Sequence, residues 1–199
     1  MRFVVTGTDT DIGKTVFAAG LAGMIGARYW KPVQAGVPGD SETVVELAGV
    51  EIVPEIYRLQ MPASPHQAAA AEGIAIDPNA LEPPDGPLVI EGAGGLMVPL
   101  TRDTLFIDVF ARWKLPLILC ARTRLVTINH TLLSLEAIRA RAIPLHGIAF
   151  IGDANEESES IIAEKGRVKR LGRLPEIAPL VRGRLEAVFA ASFNRADFA

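Results

Sequence analysis

Six short β-rich runs punctuate this chain, at Phe3–Thr6, Arg28–Lys31, Leu88–Glu91, Leu117–Ala121, Gly147–Ile151 and Val168–Leu171, and several are apolar on consecutive positions. A strand with apolar side chains pointing both ways must be covered on both faces. That is the condition of a parallel sheet between two helical layers, although short buried helices share the signal. Between the runs lie segments of helical period: Val16, Phe17, Leu21, Met24 and Ile25 fall on one face after Gly13, and Ile128, Leu132, Leu135 and Ile138 on another. Interleaved strands and helices imply right-handed βαβ units, hence a doubly wound, mainly parallel α/β sheet with helices on both faces. Residues 1–199 suit one such domain, with no internal repeat and no boundary. The stretch 49–86, rich in Pro, Ala and Glu, is too long for a plain loop, and short helices are expected at Pro65–Glu72 and Pro78–Leu81.

Composition narrows the function. A formal net charge of −3 leaves no excess of cations to neutralise phosphates, so a nucleic-acid partner is not expected, and Arg167–Arg170 is only a modest basic run. The single cysteine, Cys120, excludes an internal disulfide and a multi-cysteine metal site, and its apolar surroundings predict an inert buried thiol. Met1–Thr6 is too short an apolar start for a signal peptide, and no stretch reaches the about 18–20 apolar residues that cross a bilayer. The expectation is a soluble cytoplasmic protein with no membrane partner. His66, His130 and His146 show no metal-pair spacing, so zinc is not expected.

In doubly wound sheets ligands gather at the carboxyl ends of the strands, so each motif is judged by whether it follows one. Gly7-Thr8-Asp9-Thr10-Asp11-Ile12-Gly13-Lys14-Thr15 stands directly after the first strand and before an amphipathic helix that opens with Val16. Backbone N–H groups of such a turn point inward at a helix start, where the dipole also favours an anion. Lys14 can reach the β and γ phosphates, and the Thr15 hydroxyl can bind Mg²⁺. Five residues separate Gly7 from Gly13, where the strict phosphate-loop pattern has four between its glycines. The run Asp9 to Val16 is therefore read as nucleotide-binding from its context, since Gly-Lys-Thr alone is common.

A second acidic position follows another strand. Leu88-Val89-Ile90-Glu91 runs into Gly92-Ala93-Gly94-Gly95, which delivers Glu91 beside the loop as a hard-oxygen ligand for Mg²⁺. Asp40, just before the helix candidate Glu42–Ala48, reads equally as an N-cap or a metal ligand. Lys31, in Trp30-Lys31-Pro32-Val33-Gln34, reads as a solvated loop cation or as a second positive charge facing the phosphates.

Taken together, Gly7–Thr15, Lys31-Pro32-Val33-Gln34, Ser64-Pro65-His66, Glu91–Gly95 and Ile128-Asn129-His130 resemble the dethiobiotin synthetase family, in its order and over Gly7 to Gly152. The five-residue spacing in the loop is the family's own. The resemblance implies a phosphate-loop ligase that takes 7,8-diaminononanoate, CO₂ (or bicarbonate) and ATP with Mg²⁺, and closes a cyclic urea with release of ADP and phosphate. It assigns Lys14, Lys31 and Thr10 to catalysis and Thr15, Asp40 and Glu91 to the metal. It assigns Thr10, Asp11, Lys31, Ala35, Ser64 and Pro65 to the diamine. It also implies a homodimer, in which Leu125, Thr127, Ile128 and Asn129 of a partner chain meet the substrate's carboxylate tail. Contacts to the nucleotide are expected from Asp9 through Val16, from Glu91 and Gly94, and at the base from Gly172, Leu174 and Pro175.

Two positions depart from the family pattern. Ile151 stands where many members carry an Asn for the adenine edge, which implies relaxed base use, and Ala35 stands where some carry Ser. A rival reading is a nucleotide-dependent switch of the partitioning or cell-division type, which generally bears a second Lys inside the loop, where this chain has Thr8, Asp9, Thr10 and Asp11. A small-molecule kinase is a further alternative. A cobyrinate-type amidotransferase needs a glutaminase domain that this length does not hold.

Overall fold

Along the opening strand β1 (Arg2–Gly7) successive side chains enter different cores: Phe3 and Val5 join one buried cluster and Val4 the other. The same split recurs at Val89 against Leu88 and Ile90, and at Ile118 against Leu117 and Leu119. This two-sided burial is why the strands read as unbroken apolar runs.

The computed structural model describes all 199 residues. After β1 the chain forms α1 (Lys14–Ile25), β2 (Arg28–Trp30), β3 (Val33–Ala35), α2 (Asp40–Ala48), β4 (Ile52–Val53), β5 (Tyr57–Leu59) and α3 (Pro65–Glu72). It continues through β6 (Leu88–Gly95), α4 (Phe106–Trp113), β7 (Leu117–Arg122), α5 (Thr127–Ala140), β8 (Leu145–Ile151), α6 (Glu156–Gly166), β9 (Arg170–Leu174) and α7 (Arg182–Ser192). Seven strands make one sheet in the order β4-β2-β6-β1-β7-β8-β9, with every pairing parallel. The chain winds out from β1 to one edge, returns to β6, then crosses to β7 on the far side of β1. The strand order thus reverses around β1, and the crevice that such a reversal opens lies at the carboxyl ends of β6, β1 and β7.

Helices α4, α5 and α6 bury Phe106, Phe110, Leu135, Ile138 and Ile162 on one face, and α1, α2 and α7 bury Phe17, Leu21, Val44, Leu47, Leu185 and Phe189 on the other. The last segment completes this second core, because Phe189, Phe193 and Phe198 are all buried there. Phe189 presses onto α1 so closely that a Cβ on Gly20 would lie 2.2 Å from its ring. No helix is long and apolar enough to cross a membrane.

Several expected bounds move. The run expected at Val168–Leu171 enters the sheet only at Arg170 and continues to Leu174, because Arg167 turns left-handed at the end of α6 and the Val168 N–H folds back onto the Ala163 carbonyl. Strand β2 stops at Trp30, and the Pro32 that follows Lys31 cannot donate to a ladder. Helix α3 spans Pro65–Glu72 as expected, with Pro at its start and a left-handed Gly73 at its end, while Pro78–Ala80 is a single 3₁₀ turn. The pair β3–β5, outside the main sheet, was not anticipated, nor were α4, α6 and α7.

Candidate active site

The turn between β1 and α1 closes on itself through its glycines. A Cβ on Gly7 would lie 2.5 Å from Ile12 Cδ1 and 3.0 Å from Lys14 Cδ, so a side chain there would push the loop off its strand. Gly13 is left-handed, with φ 89°, and immediately precedes α1. Ile12 is buried beneath the loop, and the Ile151 methyl packs against Gly13 from β8. At the tip, Arg122 Nη2 donates to the carbonyls of Thr10 at 2.8 Å and Asp11 at 2.9 Å, which ties the loop to the end of β7. No side chain caps α1, so its first N–H groups remain for an anion.

Lys14 is only 6% exposed, and its Nζ donates to the Asp9 carbonyl at 2.8 Å. Burial lowers its pKa, with Glu91 pulling the other way. An ammonium so poorly solvated gains most from a strong anion set against it, and the uncapped helix start that it opens borders the same cavity.

A second cluster meets the loop from β6 and β2. Glu91, 1% exposed, accepts at Oε1 from Thr15 Oγ1 at 2.9 Å and from Lys31 Nζ at 3.3 Å, and at Oε2 from the Tyr29 hydroxyl at 2.8 Å. Lys31 also bonds Asp40. Burial alone would lower the Lys31 pKa, but Glu91 and Asp40 outweigh it and raise the value, so this cation is held charged. Burial, and then Glu91, push the Tyr29 hydroxyl well above the ordinary tyrosine range, so it stays a donor.

Asp40 resolves between its two readings. It is the first residue of α2 behind Gly39, and its carboxylate caps nothing. The side chain goes to Lys31, while its N–H donates to Gln34 Oε1 at 3.0 Å. No group of three His, Cys, Asp or Glu is assembled anywhere in the fold. What converges instead is one hydroxyl and two carboxylates, Thr15, Asp40 and Glu91. Such a hard-oxygen set fits Mg²⁺, which keeps several waters and takes further ligands from phosphates.

These groups open into a cavity of about 720 Å³, whose wall includes Thr10 through Val16, Lys31, Ala35, Asp40, Ser64, Pro65, Glu91 and Gly94. Beyond Gly13 a second cavity of about 420 Å³ shares Asp11, Ile12, Gly13 and Val16 with the first, and adds Ile151, Leu174, Pro175, Ile177 and Leu180 together with Arg122, Arg124 and Glu176. The pair forms one long site, charged in the middle and of mixed character at its outer end.

Other expected residues stand apart. Gly172 is turned to the C-terminal segment, where a Cβ would meet the Ser192 carbonyl at 2.2 Å, and it lines neither cavity. Asp9 is exposed and borders a third cavity of about 290 Å³ with Met97 and Leu133. Leu125, Ile128 and Asn129 lie on the surface at the start of α5, and Thr127 is buried with its hydroxyl on the Arg122 carbonyl at 2.5 Å. Sequence reasoning assigned no role to Tyr29, Gln34 or Arg122. Gln34 carried a signal as part of the Lys31–Gln34 motif and Arg122 as the residue following an expected strand, while Tyr29 showed only as a strand residue.

His66 stands beside the cavity, its Nδ1 3.0 Å from the hydroxyl of the lining residue Ser64, whereas Cys120 and His146 are engaged elsewhere. Cys120 is buried and burial pushes its thiol up, while the His146 ring bonds the Asp197 carbonyl at 2.8 Å, far along the chain from the loop.

Comparisons with known proteins agree with this geometry. A family model described as an AAA domain matches residues 1–184. Among solved structures, a ParA family ATPase from Chlorobium tepidum TLS superposes with a TM-score of 0.54 at 12% identity over 96% of both chains. The MinC:MinD cell division complex of Aquifex aeolicus superposes with a TM-score of 0.52 at 12% identity, covering 94% of this chain and 86% of the other. At such identities these share the fold alone. Curated relatives are far nearer. The ATP-dependent dethiobiotin synthetase BioD of Rhodopseudomonas palustris (strain BisB18) is 63% identical over 99% of this chain and 98% of its own length. The protein of the same name from Sphingopyxis alaskensis is 59% identical over 99% of this chain and 98% of its own. With such identity sustained from end to end, the chain belongs to the ATP-dependent dethiobiotin synthetase family.

Proposed function

We propose that this protein is an ATP-dependent ligase that forms carbon–nitrogen bonds, making dethiobiotin from 7,8-diaminononanoate, CO₂ and ATP with release of ADP and phosphate. The observation that carries the reading is the meeting of Lys14, Lys31 and Glu91 in one cavity beside an uncapped helix start. A partitioning-type switch is not favoured, because relatives at about 60% identity across the whole chain carry the ligase name.

The reaction carboxylates one amine to a carbamate, whose oxygen attacks the γ-phosphate, and the neighbouring amine then closes the ring on the mixed anhydride. Phosphoryl transfer of this kind needs positioning and charge neutralisation more than a protein nucleophile. The loop N–H groups and Lys14 hold the polyphosphate, and Lys31 faces the transferring group from the other side. Thr15, Asp40 and Glu91 would hold Mg²⁺, which supplies further neutralisation of the phosphate charge when bound. Thr10, Asp11, Ser64 and Pro65 border the remaining space and receive the diamine. The base lies in the second cavity, against Ile151, Leu174, Pro175 and Ile177, with the Arg124–Glu176 ion pair also in its wall, and Ile151 offers it no hydrogen bond. Residues 1–199 act as one unit in this reading, supported by a second core that draws on β1 and on Phe198 together.

A homodimer completes the site. Just before α5, Leu125 is 93% and Val126 59% exposed, and along it Leu133, 62% exposed, shares a cavity with Met97, 50% exposed, apolar surface that a second copy can cover. A second copy covering it would bring Leu125–Asn129 of one chain toward the tail of a diamine held by the other. Light scattering on the purified protein then reads twice the 21.3 kDa chain mass, and a single-chain mass contradicts the dimer.

Two further outcomes are expected. With diaminononanoate, bicarbonate and Mg²⁺, ADP release from ATP depends on the diamine, and CTP and GTP support comparable turnover. Release indifferent to the diamine points to a switch, release with another acceptor points to a kinase, and a strong ATP preference refutes the relaxed base use read from Ile151. Lys14→Ala lowers turnover by about 10²–10³-fold without lowering the melting temperature, since burial already disfavours the Lys14 charge in the folded state. Full activity in that variant removes the loop from the mechanism.

A further inference from the structure

Strand β2 lies beside β6 with Tyr29 opposite Val89, so Tyr29 shares a sheet face with Glu91, two positions further along β6. Its ring is fully buried in the core that contains Val44 and Val89, and packing alone would be served equally well by Phe. The hydroxyl makes one hydrogen bond, to Glu91 Oε2 at 2.8 Å. The other carboxylate oxygen, Oε1, is the one turned to Thr15 and Lys31, and hence to the cavity. The carboxylate is therefore held by one oxygen and offers the other.

We infer that Tyr29 is a positioning residue that sets the cation preference of the site, by restricting Glu91 to one-oxygen coordination. Mg²⁺ demands a near-ideal octahedron and accepts such a ligand readily, whereas Ca²⁺ has a larger, more flexible shell that gains from a carboxylate gripping with both oxygens. Tyr29 touches neither nucleotide nor diamine and acts only through Glu91. The inference rests on the reading of Thr15, Asp40 and Glu91 as the metal ligands.

Calorimetric titration of ADP into the full chain and into Tyr29→Phe, each with EDTA, Mg²⁺ or Ca²⁺, tests it. In the wild type either metal tightens ADP binding, Mg²⁺ more than Ca²⁺. In Tyr29→Phe the gain from Mg²⁺ falls by about tenfold, while the gain from Ca²⁺ is kept or increased and the metal-free affinity is unchanged. A purely structural tyrosine would weaken both metals alike, so an unchanged Mg²⁺/Ca²⁺ ratio overturns the inference and leaves the metal site standing. Wild-type ADP binding indifferent to both metals overturns the metal site itself. Infrared difference spectra of the wild-type Mg²⁺–ADP complex reach the same point without a substitution. Widely split carboxylate bands report the one-oxygen mode expected, and narrowly split bands refute it.

Discussion

A buried lysine held between two carboxylates organises this active site. Lys31 follows β2, Asp40 opens α2 nine residues on, and Glu91 arrives from β6, 60 residues away, so three elements must converge before the Lys31 charge is compensated. Removing one partner of such a group leaves an unpaired charge in a medium that solvates it poorly, at a cost of about 3–5 kcal/mol. The cluster therefore links a binding function to the integrity of the fold. It also explains how Glu91 can be so deeply buried: Thr15, Lys31 and Tyr29 all donate to it.

The sheet makes that convergence possible. Because β1 lies between β6 and β7, the loop that leaves β1 emerges between Glu91 on one side and Arg122 on the other. One neighbour supplies the acidic face of the site and the other clamps the loop's tip. The outer end of the cavity is built the same way, from the next strands out: Ile151 ends β8 and Leu174 ends β9. A nucleotide laid across the strand ends would thus meet the buried charges at its phosphates and a wall of Ile151, Leu174 and Pro175 edged by Arg124 and Glu176 at its ring.

Much of this was legible in the sequence, for local reasons. The loop announced itself by its glycines between a strand and a helix, and Glu91 by ending an apolar run just before a glycine cluster. Helix α3 was readable because a proline starts it and a glycine stops it. Other parts rest on contacts that no local pattern encodes. Helix α6 lacks an apolar stripe because its inward face carries the buried Glu159, paired with Arg170 at 2.5 Å and Arg173 at 3.3 Å on β9. Asp40 read locally as either a cap or a metal ligand, because Asp before a helix often caps it, and its side chain in fact turns to Lys31 and caps nothing. Gly172 belonged to the right turn in sequence but sits below the strand end, against Phe193. Tyr29 was illegible because its partner lies 62 residues away.

The most direct test of the whole account is a crystal structure of the protein with Mg²⁺ and ADP. The account predicts the β-phosphate within the Gly7–Thr15 loop, within hydrogen-bond reach of Lys14, and the metal about 2.0–2.1 Å from Thr15 Oγ1 and one Glu91 oxygen. A diphosphate bound away from that loop, or a metal that leaves Glu91 untouched, would contradict it.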